Sequence, residues 1–548
     1  MPPLSEKYTT TERTDFSLRS TKDFIKDGVL LTVTMLILRT AGVFFSARLT
    51  VLAGAPVMGL YTQIMSVYAF AVTAAAAGVN LGAVRITSES YGAGRFSDIR
   101  SGVAESVSYC LKAGITVSLI FYIGAPFLGG KLLADVRTVS SLRALALALP
   151  FLSVSNAFHG YFHGVKRIYK SAAVNLIEQF FRIGATLYAL SAVDVTNAET
   201  VCLTLVICNA SSEALSCFIL FFLYIFDVKR FKRNAGRSDS LRKRFIGITL
   251  PVAVSSLIRS GLTTAEHILI PIGLRAFGSD SDTALSKYGA VSGMALPILL
   301  YPMALLSAFA SVTISELSAR VSAGESSKKI NATVSRGVSL ALIYGIGCSA
   351  IVRFFSEQLG LAIYKSTDAA AFLNVMAPLV IFMYLDHISD GMLKGLDKQN
   401  YVMRVNIFDA ALSVIFAVIL IPKFGIYGFI ASIYICECLN CAFSFGMLMV
   451  KTNFGVSLVR SLVLPTLSVS ASLALVGLTV RLTNILGLYL IGESVAAGII
   501  LSVAYYLLFL KLTGALKNQK NGDKNKEIFS FKRTVTTQKQ KTFYKSKA

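Results

Sequence analysis

Long apolar stretches recur along this chain from Phe24 to about Lys511, and they leave little sequence for anything else. An α-helix rises 1.5 Å per residue, so about 20 apolar residues cross the roughly 30 Å of hydrocarbon in a bilayer. By this criterion we predict about fourteen membrane-spanning helices, with boundaries good to about four residues. They are 24–47, 56–80, 104–127, 142–162, 171–193, 200–226, 245–272, 286–312, 335–355, 370–391, 402–422, 424–449, 456–480 and 486–510.

The composition agrees with a chain that folds in lipid. Hydrophobic residues make up 54% of the sequence and charged residues 15%, whereas a soluble domain carries about 25% charged residues. In hydrocarbon, backbone groups must bond within a helix or within a closed barrel. The apolar runs are continuous and show little alternation, which favours helices. We therefore predict an all-α polytopic membrane protein.

The placement of basic residues predicts the orientation of the chain. The formal net charge of +23 would by itself suit a nucleic-acid partner. Lys and Arg concentrate in alternate loops, above all in the stretch 228–244, as the positive-inside rule requires of cytoplasmic segments. We therefore predict no nucleic-acid partner and place both termini in the cytoplasm. The loop at 128–143, with Lys131, Arg137 and Arg143, fits this pattern least well.

Two groups of residues resemble metal sites but are better explained by packing. The cysteines at 436–441 lie in a predicted helix, where cysteine is a polarizable packing residue. His159 and His163 stand one turn apart with no third ligand nearby in sequence. All eight cysteines fall inside predicted helices, so no disulfide framework is implied. We predict neither a metal nor a cofactor.

An internal repeat relates two parts of the chain. With a shift of 231 positions, the aligned pairs are His159 with Asp390, Gly160 with Gly391, Gly164 with Gly395, Arg167 with Lys398, Asn175 with Asn406 and Glu178 with Asp409. Each copy has a helix end with Gly-x-x-x-Gly, a basic turn, and a helix with an amide and a carboxylate one turn apart. An even number of helices separates the copies, so they share one orientation, as in transporters built from parallel repeats.

The spans, the charges and the repeat together predict the domain organisation. The first 23 residues have no apolar core or cleavage site, so the first span is expected to be an uncleaved anchor. The predicted segments are a cytoplasmic N-terminal segment at 1–23, a six-helix bundle at 24–227, a basic cytoplasmic loop at 228–244, a second six-helix bundle at 245–450, two extra transmembrane helices at 451–511 and a basic disordered tail at 512–548. The two bundles are predicted to be pseudo-symmetric.

Several ionisable residues fall inside predicted spans, where a charge normally faces a cavity or a partner. Arg39 and Arg259 have no acidic residue within one turn of their own helix, so we predict that they line a water-filled cavity. A guanidinium binds phosphate in a forked geometry, which suits an anionic substrate. Glu178 and Arg182 are spaced i,i+4, so a structural ion pair and a functional role stay equally open for them. Arg48 lies near the outer end of its helix and can reach the interface.

Three stretches of the sequence carry a recurring pattern of glycine, tyrosine and charged residues. The residues are Gly59, Tyr61, Tyr68, Gly78, Arg85, Ser88 and Glu89 in the first, Gly160, Gly164, Asn175, Glu178, Gln179 and Arg182 in the second, and Tyr288, Gly293, Pro302, Ser315 and Glu316 in the third. They resemble the polysaccharide transporter family of the multidrug/oligosaccharidyl-lipid/polysaccharide (MOP) superfamily, in particular its stage V sporulation protein B group. The resemblance covers about 24–510. The sequence departs from the family where Glu266 and His267 stand in place of an expected Asp, and where His163 replaces the usual Gln.

The resemblance implies a V-shaped pair of six-helix bundles that open alternately to the two sides of the bacterial cytoplasmic membrane. It implies a flippase that moves a polyprenyl-diphosphate-linked oligosaccharide or peptidoglycan precursor, with membrane lipids around it and no enzyme activity. The substrate-binding candidates are Arg39, Arg48, Arg182 and Arg259. The candidate cavity or ion-coupling acids are Glu178, Glu266, Asp386, Asp390 and Asp409, with Na+ or H+ as the alternative coupling ions.

Other functions stay open at this point. A cation-coupled multidrug exporter of the same fold would favour acids in the first and seventh spans. The interior of the first span has Arg39 and no acid, which disfavours the exporter, but Glu266 in the seventh keeps it open. A sugar polymerase or transferase would need a sizeable outer loop, and every predicted outer loop is short. A role as an assembly factor is compatible with transport.

Overall fold

The part of the chain that the structure describes is helical. The structure is a computed structural model and describes residues 21–92, 96–193, 197–229, 239–322, 325–485 and 495–515. These residues form helices joined by short turns, with no strand among them. The predicted all-α class is therefore confirmed. Most of the N-terminal segment, the centre of the basic loop and nearly all of the tail lie outside the described residues.

In these ranges seven α-helices precede the basic loop. They are α1 (Thr21–Ala53), α2 (Ala55–Ala76), α3 (Val79–Gly92), α4 (Phe96–Phe127), α5 (Val139–Gly164), α6 (Ile168–Ser191) and α7 (Ala198–Val228). A π-helical turn at Leu128–Leu132 and a short 3-10 turn at Val136–Thr138 join α4 to α5.

Eleven α-helices follow among the described residues. They are α8 (Asp239–Ala276), α9 (Ser281–Gly289), α10 (Leu296–Leu300), α11 (Met303–Ser322), α12 (Ser327–Phe354), α13 (Ser356–Tyr364), α14 (Thr367–Met376), α15 (Leu379–Gly395), α16 (Gln399–Lys451), α17 (Leu464–Ile485) and α18 (Val495–Leu512). Further π-helical turns lie at Ala290–Ala295 and Val459–Val463.

Many of these helices are long and apolar enough to cross a membrane. Ten described helical segments meet that criterion, or eleven if α14 and α15, which are bent by 59°, form one span. The chain is thus a multi-pass membrane protein, as predicted. The number of fourteen spans stays a prediction.

The longest helix, α16, contains a sharp reversal. Its 53 residues would extend about 80 Å as one straight helix, far more than a bilayer needs. Gly425 has φ 61° and ψ −138°, a conformation outside the helical region that favours glycine. A Cβ placed on Gly428 would lie 2.4 Å from the carbonyl oxygen of Leu420, so the chain folds back on itself here. The spans predicted at 402–422 and 424–449 lie on the two sides of this reversal.

The span predicted as continuous at 286–312 is interrupted. It is divided among α9, the π-helical turn that follows, α10 and α11, with a break at Tyr301 and Pro302. Proline lacks a backbone N–H and disfavours helical geometry in the residue before it, so a helix ends at this point. The prediction of one continuous helix here is wrong.

The span predicted at 56–80 is interrupted as well. It ends at Ala76, and α3 begins at Val79, because Gly78 adopts a φ of 74° between them. Among the described residues, the first half therefore contains this broken membrane helix, and the second half contains two, since the span predicted at 370–391 is also divided, between α14 and α15. In membrane proteins built from two repeats, broken helices at corresponding positions indicate where a binding site is built.

The turn at the centre of the repeat has the same conformation in both copies. In the first copy α5 ends at Gly164 and Lys166 has φ 59°; in the second α15 ends at Gly395 and Asp397 has φ 58°. The following helices, α6 and α16, also begin 231 residues apart (399 − 168). The backbone hydrogen bond that closes the turn is 2.8 Å long in each copy. The two copies of the repeat are therefore similar in structure at this turn as well as in sequence.

The described chain divides by compactness into two units, which are interleaved in sequence. The first comprises the described residues within 1–312, 356–376 and 400–440, and the second comprises those within 313–355, 377–399 and 441–548. The predicted boundaries of the two bundles and the two extra helices stay a prediction.

Each unit has its own packed interior. In the first unit, Leu60, Ile64 and Leu142 are fully buried between α2 and α5. In the second unit, α18 packs on α12, where the hydroxyl of Tyr506 donates to the carbonyl oxygen of Ile343 at 2.7 Å. Polar contacts of this kind join membrane helices because lipid offers a hydroxyl no alternative partner.

Within the first unit, α2 and α9 cross without room for side chains. A Cβ on Gly59 would lie 2.1 Å from the carbonyl oxygen of Leu285, and a Cβ on Gly289 would lie 2.7 Å from that of Ala55. The two backbones are therefore in direct contact, as in other crossings of membrane helices at small residues.

The basic residues of the loop at 128–143 are each partnered. Arg137 donates to both carboxylate oxygens of Asp135, at distances down to 2.7 Å, and reaches Asp282 at 3.3 Å. Lys131 and Arg143 lie over the rings of Phe127 and Tyr122, at 5.9 and 5.5 Å from the ring centres. Local partners therefore accompany the charges that fit the positive-inside pattern least well.

We expect Gly59→Ala to destabilise the protein, because its methyl group would overlap the backbone of α9. Overpacking of this kind costs about 1–3 kcal/mol. The measurement is thermal unfolding of the purified full-length chain in detergent. Gly124→Ala is the matched control, since a Cβ there meets nothing within 4 Å. Equal melting temperatures for the two variants would contradict the close crossing.

Candidate functional site

A buried polar network joins three helices of the first unit. It consists of Tyr68 on α2, Gln179 and Arg182 on α6, and Asn209 and Glu213 on α7, and we call it the Glu213 network. Four of the five side chains are at most 8% exposed, and Arg182 is partly exposed. The helical spacing explains the grouping, because Asn209 and Glu213 are one turn apart, as are Gln179 and Arg182.

The hydrogen bonds of the Glu213 network form a directed chain. The hydroxyl of Tyr68 donates to one carboxylate oxygen of Glu213 at 2.6 Å, and the amide nitrogen of Asn209 donates to the other at 3.0 Å. The amide oxygen of Asn209 then accepts from the Arg182 guanidinium at 3.0 Å, and Gln179 accepts from its other terminal nitrogen. The chain thus runs from a buried carboxylate to a guanidinium through one neutral amide.

The spacing of Glu178 and Arg182 allowed an ion pair, but the guanidinium takes other partners. Arg182 donates to Asn209 and Gln179, and with Glu178 it interacts through its charge without a salt bridge within 4.0 Å. Sequence reasoning identified Glu178 and Arg182 as candidates and Gln179 as a motif residue, but it did not predict that Gln179 and Asn209 bind the guanidinium. The i,i+4 spacing of an amide and an acid on an apolar helix was the available signal.

A second polar group lies in the first unit, between α8 and α16. The hydroxyl of Ser413 donates to the carboxylate of Glu266. Asp409, one turn before Ser413, is close enough for its charge to interact with those of Glu266 and Arg259. One carboxylate oxygen of Asp409 is buried and accepts no hydrogen bond from the described residues. The structure therefore brings together three of the predicted candidates: Arg259, Glu266 and Asp409.

His267, the neighbour of Glu266, is bound to a residue of the broken helix. Its Nδ1 lies 2.8 Å from the hydroxyl of Tyr288, at the end of α9. Tyr288 is fully buried. The departure from the family pattern at 266–267 is thus accommodated by a tyrosine that the sequence motif had already singled out.

Arg39 and Arg48 lie on α1 without ionic partners. Arg39 is partly exposed and Arg48 is exposed, and neither forms a salt bridge or side-chain hydrogen bond with a described residue. Thr40, next to Arg39, bonds to the hydroxyl of Tyr301 at 2.8 Å. Because Tyr301 marks the break before α11, this contact places the part of α1 that carries Arg39 beside an interrupted membrane helix.

The remaining candidate acids, Asp386 and Asp390, belong to the second unit. Both lie on α15 and are 8–9% exposed. The hydroxyl of Ser444 donates to Asp390 at 2.8 Å. They are therefore part of that unit's interior.

A further buried acid, Asp227, neutralises the basic turn of the first repeat. It is 1% exposed and binds Arg167 and Lys170, the latter at 2.7 Å, while Tyr161 donates to it at 3.0 Å. Sequence reasoning missed this cluster, because Asp227 lies 57 residues from Lys170 along the chain. Its role is structural, since every member already has a charged or hydrogen-bonding partner.

The residues that resemble metal sites show packing contacts. Both histidines of the first repeat share one hydroxyl: His159 lies 2.6 Å and His163 3.1 Å from that of Ser171. All eight cysteines are free thiols. The described residues contain no group of three His, Cys, Asp or Glu side chains arranged to hold a metal ion.

Comparison with known proteins identifies the class to which this fold belongs. A family model described as MatE matches residues 272–419. The fold resembles an inward-facing multidrug resistance MATE family transporter of the MOP superfamily, with a TM-score of 0.60, 13% identity, and coverage of 77% of this chain and 98% of that one. It also resembles the lipid II flippase MurJ in an inward closed conformation, with a TM-score of 0.61, 12% identity, and coverage of 88% and 98%. The described helices thus have the fold of the MOP-superfamily transporters.

The sequence is also similar to that of a sporulation protein. It is 22% identical over 417 residues to stage V sporulation protein B of Bacillus subtilis (strain 168), covering 74% of this chain and 79% of that protein. The family resemblance predicted from the sequence motifs is therefore confirmed. The MatE match includes Asp386, Asp390 and Asp409 but neither Glu266 nor the Glu213 network.

We expect Asp227→Asn to destabilise the protein strongly, because it leaves Arg167 and Lys170 without their common carboxylate. Breaking a buried ion pair by removing one partner costs about 3–5 kcal/mol. Thermal unfolding of the full-length chain measures the effect. Asp280→Asn is the control, since Asp280 caps α9 through the backbone N–H of Thr283 at 3.2 Å and Asn caps as well as Asp. A melting temperature equal to that of the control would contradict the structural role of Asp227.

Proposed function

We propose that this protein is a flippase that moves a lipid-linked oligosaccharide or peptidoglycan precursor across the bacterial cytoplasmic membrane by alternating access. The observation that carries the proposal is that Arg39 and Arg259, both inside apolar helices, form no salt bridge within 4.0 Å with the described residues. The similarity to stage V sporulation protein B and to the MurJ fold supports it.

The free energy of membrane insertion explains why those arginines indicate a substrate site. An arginine at the centre of a membrane helix costs about 2.5–3.5 kcal/mol on insertion scales, so such residues occur where they serve a substrate or a water-filled cavity. The guanidinium fork fits the oxygens of a diphosphate. On this proposal Arg39, Arg48, Arg182 and Arg259 together hold the diphosphate of the substrate.

The other parts of the substrate have different requirements. The sugar needs water and polar groups, so it travels through a hydrated cavity, while the polyprenyl chain stays in lipid along the side of the protein, against α17 and α18. The charge that moves in each cycle couples transport to the membrane potential at about 2.3 kcal/mol per charge per 100 mV. We place both termini in the cytoplasm, as the basic loops require.

A coupling ion, Na+ or H+, would bind at the acids. The buried oxygen of Asp409 that lacks a hydrogen-bond donor, together with Glu266, supports this position in the first unit. Glu178, Asp386 and Asp390 are the other candidates. No catalytic residue is proposed, because transport requires none.

We expect Arg39→Ala and Arg259→Ala each to reduce translocation of the lipid-linked precursor by about tenfold or more, because a hydrogen bond to a charged group contributes about 1.5–3 kcal/mol. The assay reconstitutes the full-length protein in liposomes and follows a fluorescent precursor into the opposite leaflet. Arg143→Ala is the control, because that guanidinium already lies over the ring of Tyr122. Unchanged transport by a correctly inserted Arg39→Ala, Arg259→Ala double variant would refute the assignment.

A second candidate function is cation-coupled export of drugs. The MatE match and the Glu266–Asp409 pair favour it. It predicts that liposomes containing the protein expel a cationic dye such as ethidium when a sodium or proton gradient is applied, and that Glu266→Gln abolishes the export. Dye export without precursor translocation would replace the flippase proposal by this one.

A further inference from the structure

We propose that Asn209, Gln179, Glu213 and Tyr68 are positioning residues that fix the guanidinium of Arg182 for binding the substrate diphosphate. This inference rests on the proposed flippase function and deepens it. It assigns a role to the neutral residues around one arginine, where sequence reasoning had assigned only the arginine itself.

Arg182 keeps several N–H donors beyond those used within the Glu213 network. A guanidinium carries five N–H donors. One bond to Asn209 and one bond to Gln179 use two of them, one on each terminal nitrogen. The three that remain include one N–H on each terminal nitrogen. A forked contact with phosphate oxygens requires two N–H donors on different nitrogens of the guanidinium, and these remain available.

The two neutral acceptors, Asn209 and Gln179, fix the guanidinium without neutralising it. Had Glu178 or Glu213 paired directly with Arg182, the positive charge would already be compensated. Asn209 instead stands between Arg182 and Glu213, so the carboxylate orients the amide while the guanidinium keeps its charge. An arginine held in one geometry loses less side-chain entropy when a ligand binds.

The hydrogen bonds of the Glu213 network have a fixed direction. Glu213 accepts from Asn209, which compels the amide to present its oxygen, not its nitrogen, to Arg182. Tyr68 donates to the second oxygen of Glu213 and keeps the carboxylate in place. Bonds in such a chain polarise one another in an interior of low dielectric, so each member affects the guanidinium at its end.

The experiment measures binding by the full-length protein in nanodiscs. The probes are a soluble short-chain prenyl diphosphate bearing one N-acetylhexosamine, and the matching prenyl monophosphate sugar. The ratio of the two affinities measures the contact with the diphosphate. Any effect of a substitution on binding of the sugar or the prenyl chain is the same for both probes and cancels in the ratio. We expect Asn209→Leu and Arg182→Ala to lower this ratio by similar factors, each about five- to tenfold.

A double-mutant cycle separates positioning from a merely structural role. If Asn209 acts through Arg182, Asn209→Leu changes nothing further in an Arg182→Ala background. If it only supports the fold, its effect is the same in both backgrounds and the proposal is wrong. Gln179→Leu provides a second test that removes the other acceptor, should Asn209→Leu not insert. Ser211→Ala on the same helix is the control, because its hydroxyl bonds only to the preceding turn of α7.

The outcomes also distinguish this proposal from the one on which it rests. If the wild-type protein binds neither probe, the flippase function itself fails. If the wild type prefers the diphosphate and Arg39→Ala reduces the preference, while Arg182→Ala and Asn209→Leu leave it unchanged, only the positioning role fails.

Discussion

The constraint on which this structure depends is that hydrocarbon offers no partner to a polar group. Every hydroxyl, amide or charge in an apolar helix must find its partner within the protein, or face water. Glu213 meets the constraint with a tyrosine and an amide, and Asp227 meets it with two cations and a tyrosine. Against this background, Arg39 and Arg259 stand out because no described carboxylate lies within salt-bridge distance of them.

Much of the architecture could be predicted because it follows from properties of short segments. Apolar length defines a membrane helix, and the shared spacing of glycine and basic residues revealed the repeat, whose turn has the same unusual φ at Lys166 and Asp397. The break before α11 was not predicted. Pro302 was recognised as part of a family motif. The hydrophobicity of a stretch of about 20 residues is hardly changed by a single proline, however, so the stretch was predicted as one continuous span.

The charge pattern of the sequence predicted only the ionisable residues of the candidate site. Arg39, Arg259, Glu266 and Asp409 attract attention in any apolar stretch, whereas Gln179 was named only as a motif residue and Asn209 was not named. Their importance comes from which helices pack together, and pairing between α6 and α7 is a property of the tertiary structure. The same limit explains why the spacing of Glu178 and Arg182 suggested a pair that the guanidinium does not make.

The repeat also shows where the two halves have diverged. Under the shift of 231, Glu178 corresponds to Asp409, but Arg182 corresponds to Ser413. In the first half the helix supplies its own guanidinium, held by amides. In the second half a serine hydroxyl bonds to Glu266, and the positive charge comes from Arg259 on α8. The two copies thus share the conformation of the turn, but the equivalent position carries a positive charge in the first copy and a neutral hydroxyl in the second.

The contact between α2 and α9 limits how these helices can move. With backbone against backbone at Gly59 and Gly289, a shift by even one residue along either axis would drive a side chain into a carbonyl group. The pair can separate, but it cannot slide. Any rearrangement that opens this crossing must therefore break it as a whole. The contact is either closed or open, without intermediate positions.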